Sequence, residues 1–253
     1  MDETYLLLLL SDSNLPTGSF VASSGLESFL KHGFGAPPLD QPSTNLKMDT
    51  IATFIHDSLS TYAPSALPFV SDAHNIVQLQ RGDADMARTL AVLKELDALY
   101  ECMTLNHVAK RASKAQGVAL LSLYSKGFSC PRACRLHAHG HLPVCWGVLC
   151  AALGLSLDRT QHLHLYLHAR SLLSAAVRLN SIGPYAAQQI LLHVVGTLVD
   201  TEVAKCAQLR TGTLIDGNTP EWDETQHGPA NTWPLGEILA ARHDLQHSRI
   251  FNS

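Results

Sequence analysis

The stretch LDRTQHLHLYLHARSLLSAAVRLN, residues Leu157–Asn180, decides the fold class. Five of its apolar residues recur at steps of three and four: Leu165, Ala169, Leu172, Ala176 and Leu179. Side chains with this spacing share one face of an α-helix. Gly183 and Pro184 then end this helix and begin another, which we predict to continue to Gln208. Because the connecting turn is so short, the two long helices should pack antiparallel.

Helical spacing also recurs in the chain before this hairpin, and no run alternates apolar and polar residues as a strand does. Further helices are predicted over Asp49–Tyr62, Ala84–Cys102, Leu105–Tyr124 and Leu142–Leu153. Pro64 and Pro68 predict a break after Tyr62, followed by a separate element that ends near Leu79. The sequence therefore predicts an all-α protein, a single compact bundle of roughly eight to ten helices with a flexible C-terminal arm.

The composition changes after Leu209. Thr211–Trp233 is rich in glycine, proline and acidic residues, which is typical of a loop or a disordered arm. We therefore divide the chain into an all-helical domain, residues 1–208, and a flexible arm with a C-terminal tail, residues 209–253. Here the tail means Leu235–Ser253, which we expect to be mobile. A second disordered surface loop is predicted over Gly35–Ser43.

Charge and hydropathy exclude several classes of protein. Charged residues make up only 16% of the chain, well below the roughly 25% of typical soluble domains. This low charge is typical of partner-binding surfaces or of a large buried core. The net charge is −4 and the one basic cluster is Lys110, Arg111 and Lys114, so nucleic acid is not an expected partner. We find no secretion signal and no apolar run long enough for a membrane span, and expect a cytoplasmic protein with reduced cysteines.

The stretch SDSNLPTGSFVASSGLESFLKHG, residues Ser11–Gly33, has the glycines and hydroxyls of a phosphate-binding loop. Such a loop needs a Gly-Lys pair, and the chain contains none. A serine nucleophile is also disfavoured, because the sequence before Ser24 lacks the first glycine of the nucleophile elbow. Pro16 and Gly18 instead predict a tight turn. We call residues 11–33 the opening stretch.

A loop rich in histidine and cysteine is the candidate metal site. Its possible ligands are His137, His139, His141, Cys130 and Cys134. Neutral imidazoles suit zinc or nickel, so one hypothesis is a metal-dependent hydrolase that uses the 137–141 histidine loop. However, no carboxylate lies between Glu101 and Asp158 to complete such a site. The simpler interpretation is three histidines on a loop, mostly exposed.

Arg178 stands in the apolar run of the clearest helix, where a buried charge needs a partner. One interpretation is contact with another protein. The other, which we favour, is an internal ion pair with Asp200 or Glu202 of the next helix.

Four blocks in order along the chain resemble the urease accessory protein UreF family. The first contains Pro16, Gly18, Ser19, Phe20, Gly25, Leu26 and Glu27. The second is His141-Leu142-Pro143-Val144 with Gly147 and Leu153-Gly154. The third is Ser174–Leu179 followed by Gly183 and by Gln188 or Gln189. The fourth is the closing sequence RHDLQHSRIFNS, residues Arg242–Ser253.

This resemblance implies an all-α homodimer with no catalysis of its own and no cofactor. It implies a complex with the chaperone UreD, also called UreH, and the GTPase UreG, which loads nickel into apo-urease. It also implies a tail that becomes ordered when UreD/UreH binds. The partner-binding residues implied are Pro16, Gly18, Ser19, Phe20, Gly25, Glu27, His141, Pro143, Arg178, Gln188, Arg242, His243, Ser248, Arg249 and Phe251.

Overall fold

The computed structural model describes residues 2–34, 44–79, 83–128, 139–214 and 222–252. Its α-helices are α1 Glu3–Leu10, α2 Leu26–Lys31, α3 Thr44–Leu79, α4 Asp83–Met103, α5 His107–Leu123, α6 Leu142–Leu153, α7 Leu157–Arg178, α8 Pro184–Ile190, α9 Gly196–Cys206, α10 Glu224–His227 and α11 Pro234–Ala241. Short 3₁₀ turns cover Ser19–Val21 and Arg242–Leu245, and π-helical turns cover Tyr124–Phe128 and Leu191–Val195. These ranges contain no strand, and the predicted all-α bundle is confirmed. The predicted loop 35–43 lies outside them.

The predicted helical hairpin is confirmed. Helix α7 packs against α8, the π-helical turn Leu191–Val195 and α9, which follow one another without interruption. On its apolar face, Leu165, Ala169, Leu172 and Ala176 are buried, and Leu179 is partly buried. None of the helices in the described ranges is both long and apolar enough to span a bilayer.

Helix α3 is the centre of the bundle and packs against α6, α7 and α9. The predicted break after Tyr62 is wrong, because α3 continues through Pro64 and Pro68 for 36 residues. Pro68 has no N–H to donate to the carbonyl oxygen of Pro64. The backbone N–H of Ala230 donates to that oxygen instead, at 3.2 Å. A later segment thus satisfies the carbonyl that the proline leaves free.

Helix α6 approaches α3 closely at Gly147. A Cβ atom there would lie 2.4 Å from the carbonyl oxygen of Val70 and 3.0 Å from the Cβ of Ala73. Neither atom belongs to a flexible chain end, so a larger residue must push the two helices apart. Gly196, in α9, is a matched control, because a Cβ there would meet nothing within 4 Å.

Gly147→Ala should therefore lower the free energy of unfolding by about 3 kcal/mol. Gly196→Ala should leave it unchanged or raise it by up to about 1 kcal/mol, since alanine favours the helix. Urea unfolding followed by circular dichroism measures both values. Equal stabilities of the two variants would contradict the close α3–α6 packing.

Candidate partner-binding surface

The opening stretch forms the predicted turn. Gly18 and Gly25 have φ angles of 72° and 87°, in the left-handed region that glycine adopts without strain. Pro16 is exposed, and Phe20 is 65% exposed. Glu27, in contrast, is fully buried at the start of α2. The stretch therefore presents an aromatic ring outward and turns a carboxylate inward.

Glu27 holds the C-terminus of the chain. Its Oε1 accepts from the backbone N–H of Ile250 at 2.8 Å, and its Oε2 accepts from that of Phe251 at 3.1 Å. Lys31 contributes an ion pair at 3.1 Å. Burial alone would raise the pKa of this carboxyl, but the bonds from Ile250, Lys31 and Phe251 outweigh burial and lower it. The buried carboxylate of Glu27 is thus paired with two backbone N–H groups of the tail and with Lys31 of its own helix.

Other contacts continue this attachment along the tail. The N–H of Asn252 donates to the carbonyl oxygen of Val21 at 2.9 Å. His243 Nε2 lies 3.1 Å from the carbonyl oxygen of Phe251, and His243 itself is fully buried. Lys31 Nζ also donates to the carbonyl oxygen of Ser248. We call the opening stretch and the tail packed on it the composite surface.

Phe251 connects the tail to the main hydrophobic core, in which it is 2% exposed. The guanidinium of Arg178 lies 4.4 Å from the centre of its ring, a cation–π contact. The favoured pairing of Arg178 with Asp200 or Glu202 is wrong. Asp200 contacts His162, while Glu202 pairs with Lys205 and accepts from Ser60. The side chain of Arg178 therefore contacts an aromatic ring of the tail.

A surface cluster of charges centres on Asp244. Arg111 donates to both of its oxygens, at 2.8 and 2.9 Å, and Arg249 lies 2.5 Å away. Arg111 also donates to the carbonyl oxygen of Asn252 at 2.7 Å. The hydrogen bond from Arg111 is the main reason that the pKa of Asp244 lies below its usual value. Since these groups are partly exposed, the cluster contributes more to orientation than to stability.

Helix α11 attaches the beginning of the tail. The side-chain amide of Asn106 donates to the carbonyl oxygen of Glu237 at 2.8 Å. Just before the helix, the ring of Trp233 packs edge-on against Phe54 at 5.3 Å between centres. Residues 222–252 thus lie against the helical domain. The division at 208/209 and the mobility of the tail stay predictions.

Two motif residues of the second block lie in the interior. Pro143 is buried in the first turn of α6, and His141 is fully buried as its N-cap. His141 Nε2 lies 2.7 Å from Glu101 Oε2, and its Nδ1 lies 3.1 Å from Ser113 Oγ. Contacts with Lys114, His141 and Lys110 lower the pKa of Glu101 to about 2, with Lys114 the largest cause. This network fixes the start of α6.

The remaining predicted residues are more dispersed. Arg242 is exposed and donates to His32 at 2.9 Å, within the composite surface. Gln188 is exposed on α8, beside Tyr185, which is 87% exposed. None of the described contacts joins Gln188 to the tail.

The structure describes only part of the candidate metal loop. His137, Cys130 and Cys134 lie outside the described residues. His139 is exposed and His141 is buried, so the expectation of mostly exposed histidines is wrong for His141. Among the described residues, no three histidine, cysteine or acidic side chains lie close enough to hold a metal ion. Glu101 does supply a carboxylate to His141. Its ion pairs with Lys110 and Lys114, and the burial of His141, indicate a structural role.

Sequence reasoning missed two pairs of polar side chains that meet between α3 and α7. Tyr62 OH lies 3.0 Å from His164 Nε2, and Ser58 Oγ lies 2.9 Å from His168 Nε2. Burial lowers the pKa of His164 to about 3 and that of His168 to about 4. Both imidazoles are therefore neutral near pH 7. The i, i+4 spacing of the two histidines, on one side of a predicted helix, was the available signal.

The two histidines, His164 and His168, predict a pH dependence of stability. Below about pH 6.5 the unfolded chain binds protons at both histidines and the folded chain does not, so acidification favours unfolding. Each histidine should lower the free energy of unfolding by up to about 1.4 kcal/mol per pH unit until its folded pKa is reached. Urea unfolding at pH 7 and pH 5 measures the slope. His168→Gln should reduce it, whereas an unchanged slope would contradict the burial of a neutral imidazole.

Comparison with known proteins agrees with the motif blocks. The sequence model of the UreF family matches residues 47–195. The chain belongs to the UreF family. Urease accessory protein 6 of Cryptococcus neoformans var. grubii is 42% identical, over 99% of this chain and 97% of its own length. A UreF-like protein of Schizosaccharomyces pombe is 31% identical, over 99% and 97%, and urease accessory protein F of Oryza sativa is 29% identical, over 96% and 82%.

The match to the UreF family model ends before the tail, at residue 195. The relatives from fungi and rice, in contrast, align with nearly all of this chain. Since the composite surface joins residues 11–33 to the tail, it lies outside the segment that the family model covers. Its role is therefore argued from its own contacts.

Proposed function

We propose that this UreF family member is a non-catalytic chaperone of urease maturation. It binds a UreD/UreH chaperone through the composite surface, and the complex recruits the GTPase UreG so that nickel enters apo-urease. One observation carries the proposal: motif residues from the two ends of the chain converge, with Glu27 binding the backbone of Ile250 and Phe251. The first and fourth motif blocks therefore form one continuous surface, to which we assign the binding of the partner chaperone.

The composite surface has the composition of a protein interface. Phe20 is 65% exposed, Leu245 is 77% exposed and Ile250 is 65% exposed. The bond between Asn252 and Val21 brings the segments carrying Phe20 and Ile250 side by side. Apolar anchors of this kind, next to a charged rim such as the Asp244 cluster, are typical of protein interfaces.

A second apolar area supports the proposed homodimer. Tyr185 on α8 is 87% exposed, and Leu192 in the following π-helical turn is 69% exposed. Both residues lie on one long helical segment, separate from the composite surface in the described contacts. The proposal takes these two exposed apolar side chains as part of the contact between two copies of the chain. The proposal therefore assigns the dimer to α8 and the partner chaperone to the composite surface, in a cytoplasmic complex.

The test of this function is a strain that lacks the gene. Urease should be made in normal amount but should contain little nickel and show little activity. Re-expression of this chain should restore both the nickel content and the activity. Active, nickel-loaded urease in the deletion strain would refute the proposed function.

A further inference from the structure

A cavity of about 410 Å³ lies between the composite surface and the helical domain. Its walls come from the end of α1, the opening stretch, α3, α4, α5, α6, α7 and α11. This volume lies within the range of small-molecule sites in proteins. The proposed chaperone function gives it no role.

The inner part of the cavity is apolar. Leu10, Val108, Leu120 and Trp146 line it, and each is no more than 3% exposed. These side chains come from three different helices, α1, α5 and α6, so the apolar lining extends over more than one wall of the space. Such a lining favours the hydrocarbon part of a ligand.

Two arginines line the same cavity. Arg170 donates to the carbonyl oxygen of Ser11, and Arg178 donates weakly to that of Ser174, at 3.4 Å. Within the described ranges, neither guanidinium forms an ion pair with a carboxylate. The side chain of Arg178 is exposed, and its guanidinium packs against the ring of Phe251 and not against a carboxylate. Each guanidinium has five donors, so most of them remain for a ligand.

The acidic residues in the lining do not neutralise these arginines. Asp12 accepts from the backbone and side chain of Asn14, and Glu237 accepts from Asn231 at 2.6 Å. Their hydrogen bonds are local. The guanidinium groups therefore favour an anion, and a carboxylate matches their planar donor geometry.

We propose that this cavity binds a small aliphatic carboxylate. The hydrocarbon lies against Leu120 and Trp146, and the carboxylate binds Arg170 and Arg178. The hydroxyl of Ser174, which lines the same cavity, can donate at the polar end. The affinity then has two separable parts, one apolar and one from the charge.

Tryptophan fluorescence provides a direct assay, since Trp146 and Trp233 both line the cavity. Full-length protein is titrated with sodium octanoate or with 1-octanol, and calorimetry gives the stoichiometry. Wild-type protein should bind one octanoate per chain and should bind octanol at least about tenfold more weakly, since ionic hydrogen bonds contribute about 1.5–3 kcal/mol. Neutral vesicles containing a small fraction of octanoate test whether the protein binds the free acid or a membrane surface; the protein should not sediment with them.

Three variants separate the parts of the site. Arg170→Gln should weaken octanoate binding about tenfold while octanol binding stays the same, and Arg88→Gln, an exposed arginine outside the cavity, should change neither. Ala112→Phe should fill the cavity and abolish both, with circular dichroism to check the fold. Unsaturable binding, equal affinity for octanol and octanoate in the wild type, binding to vesicles alone, or an Arg170→Gln variant with wild-type octanoate affinity would overturn the proposal.

Discussion

Glu27→Ala will detach the end of the tail from the helical domain. The backbone N–H groups of Ile250 and Phe251 both lose their acceptor. The donor of Phe251 is buried, and leaving it unpaired costs about 1–3 kcal/mol. Lys31 loses its carboxylate as well. Hydrogen exchange at residues 242–252 should therefore accelerate by about 30-fold or more.

The matched control is Glu95→Ala, which removes an exposed carboxylate from α4. It should leave exchange in the tail unchanged. Limited trypsin digestion provides a second measurement, since the exposed Arg242 and Arg249 should be cleaved faster only in the Glu27 variant. A tail that stays protected after Glu27→Ala would show that this carboxylate does not hold it.

Substitution of two phenylalanines of the composite surface should change stability by very different amounts. Phe251→Ala removes a ring that is 2% exposed and lies under Arg178, so it should lower the free energy of unfolding by about 3–5 kcal/mol. Phe20→Ala removes a ring that is 65% exposed, so it should change stability by less than about 0.5 kcal/mol. Urea unfolding of the two variants measures the difference.

Binding to the UreD/UreH chaperone should distinguish the two phenylalanine variants further. Phe20→Ala keeps the fold and should still lose most of its affinity for the UreD/UreH chaperone, because an aromatic anchor at an interface contributes about 2 kcal/mol or more. Phe251→Ala should lose binding together with stability. If Phe20→Ala binds like the wild type, Phe20 is not a contact of the partner chaperone.

The sequence was sufficient for the helical hairpin, because a stripe of apolar residues at steps of three and four has one structural solution. The break predicted at Pro64 and Pro68 was wrong for a physical reason. A proline removes a hydrogen bond inside a helix, but the N–H of Ala230, far away in sequence, repairs the loss at Pro64. Local rules cannot include such a distant donor.

The composite surface was predicted in part. The motif blocks identified Glu27 and Phe251, but no local pattern shows that residues 223 and 224 positions apart share a hydrogen bond. The prediction that Arg178 is a buried charge was wrong, since the residue is exposed, and the wrong partner was chosen because nearby carboxylates were considered before a distant ring. The role of Arg111 was missed because a basic face of a helix was compared only with nucleic-acid sites.

The measurement that tests the central claim most directly is co-purification of the UreD/UreH chaperone with wild-type protein and with Phe20→Ala. Leu79→Ala is the control, since Leu79 is similarly exposed, at 63%, but lies at the end of α3. If the composite surface is the docking site, the wild type and Leu79→Ala should recover normal amounts of UreD/UreH. Phe20→Ala should recover much less UreD/UreH and, as a consequence, much less UreG. Equal recovery of the chaperone with all three proteins would contradict it.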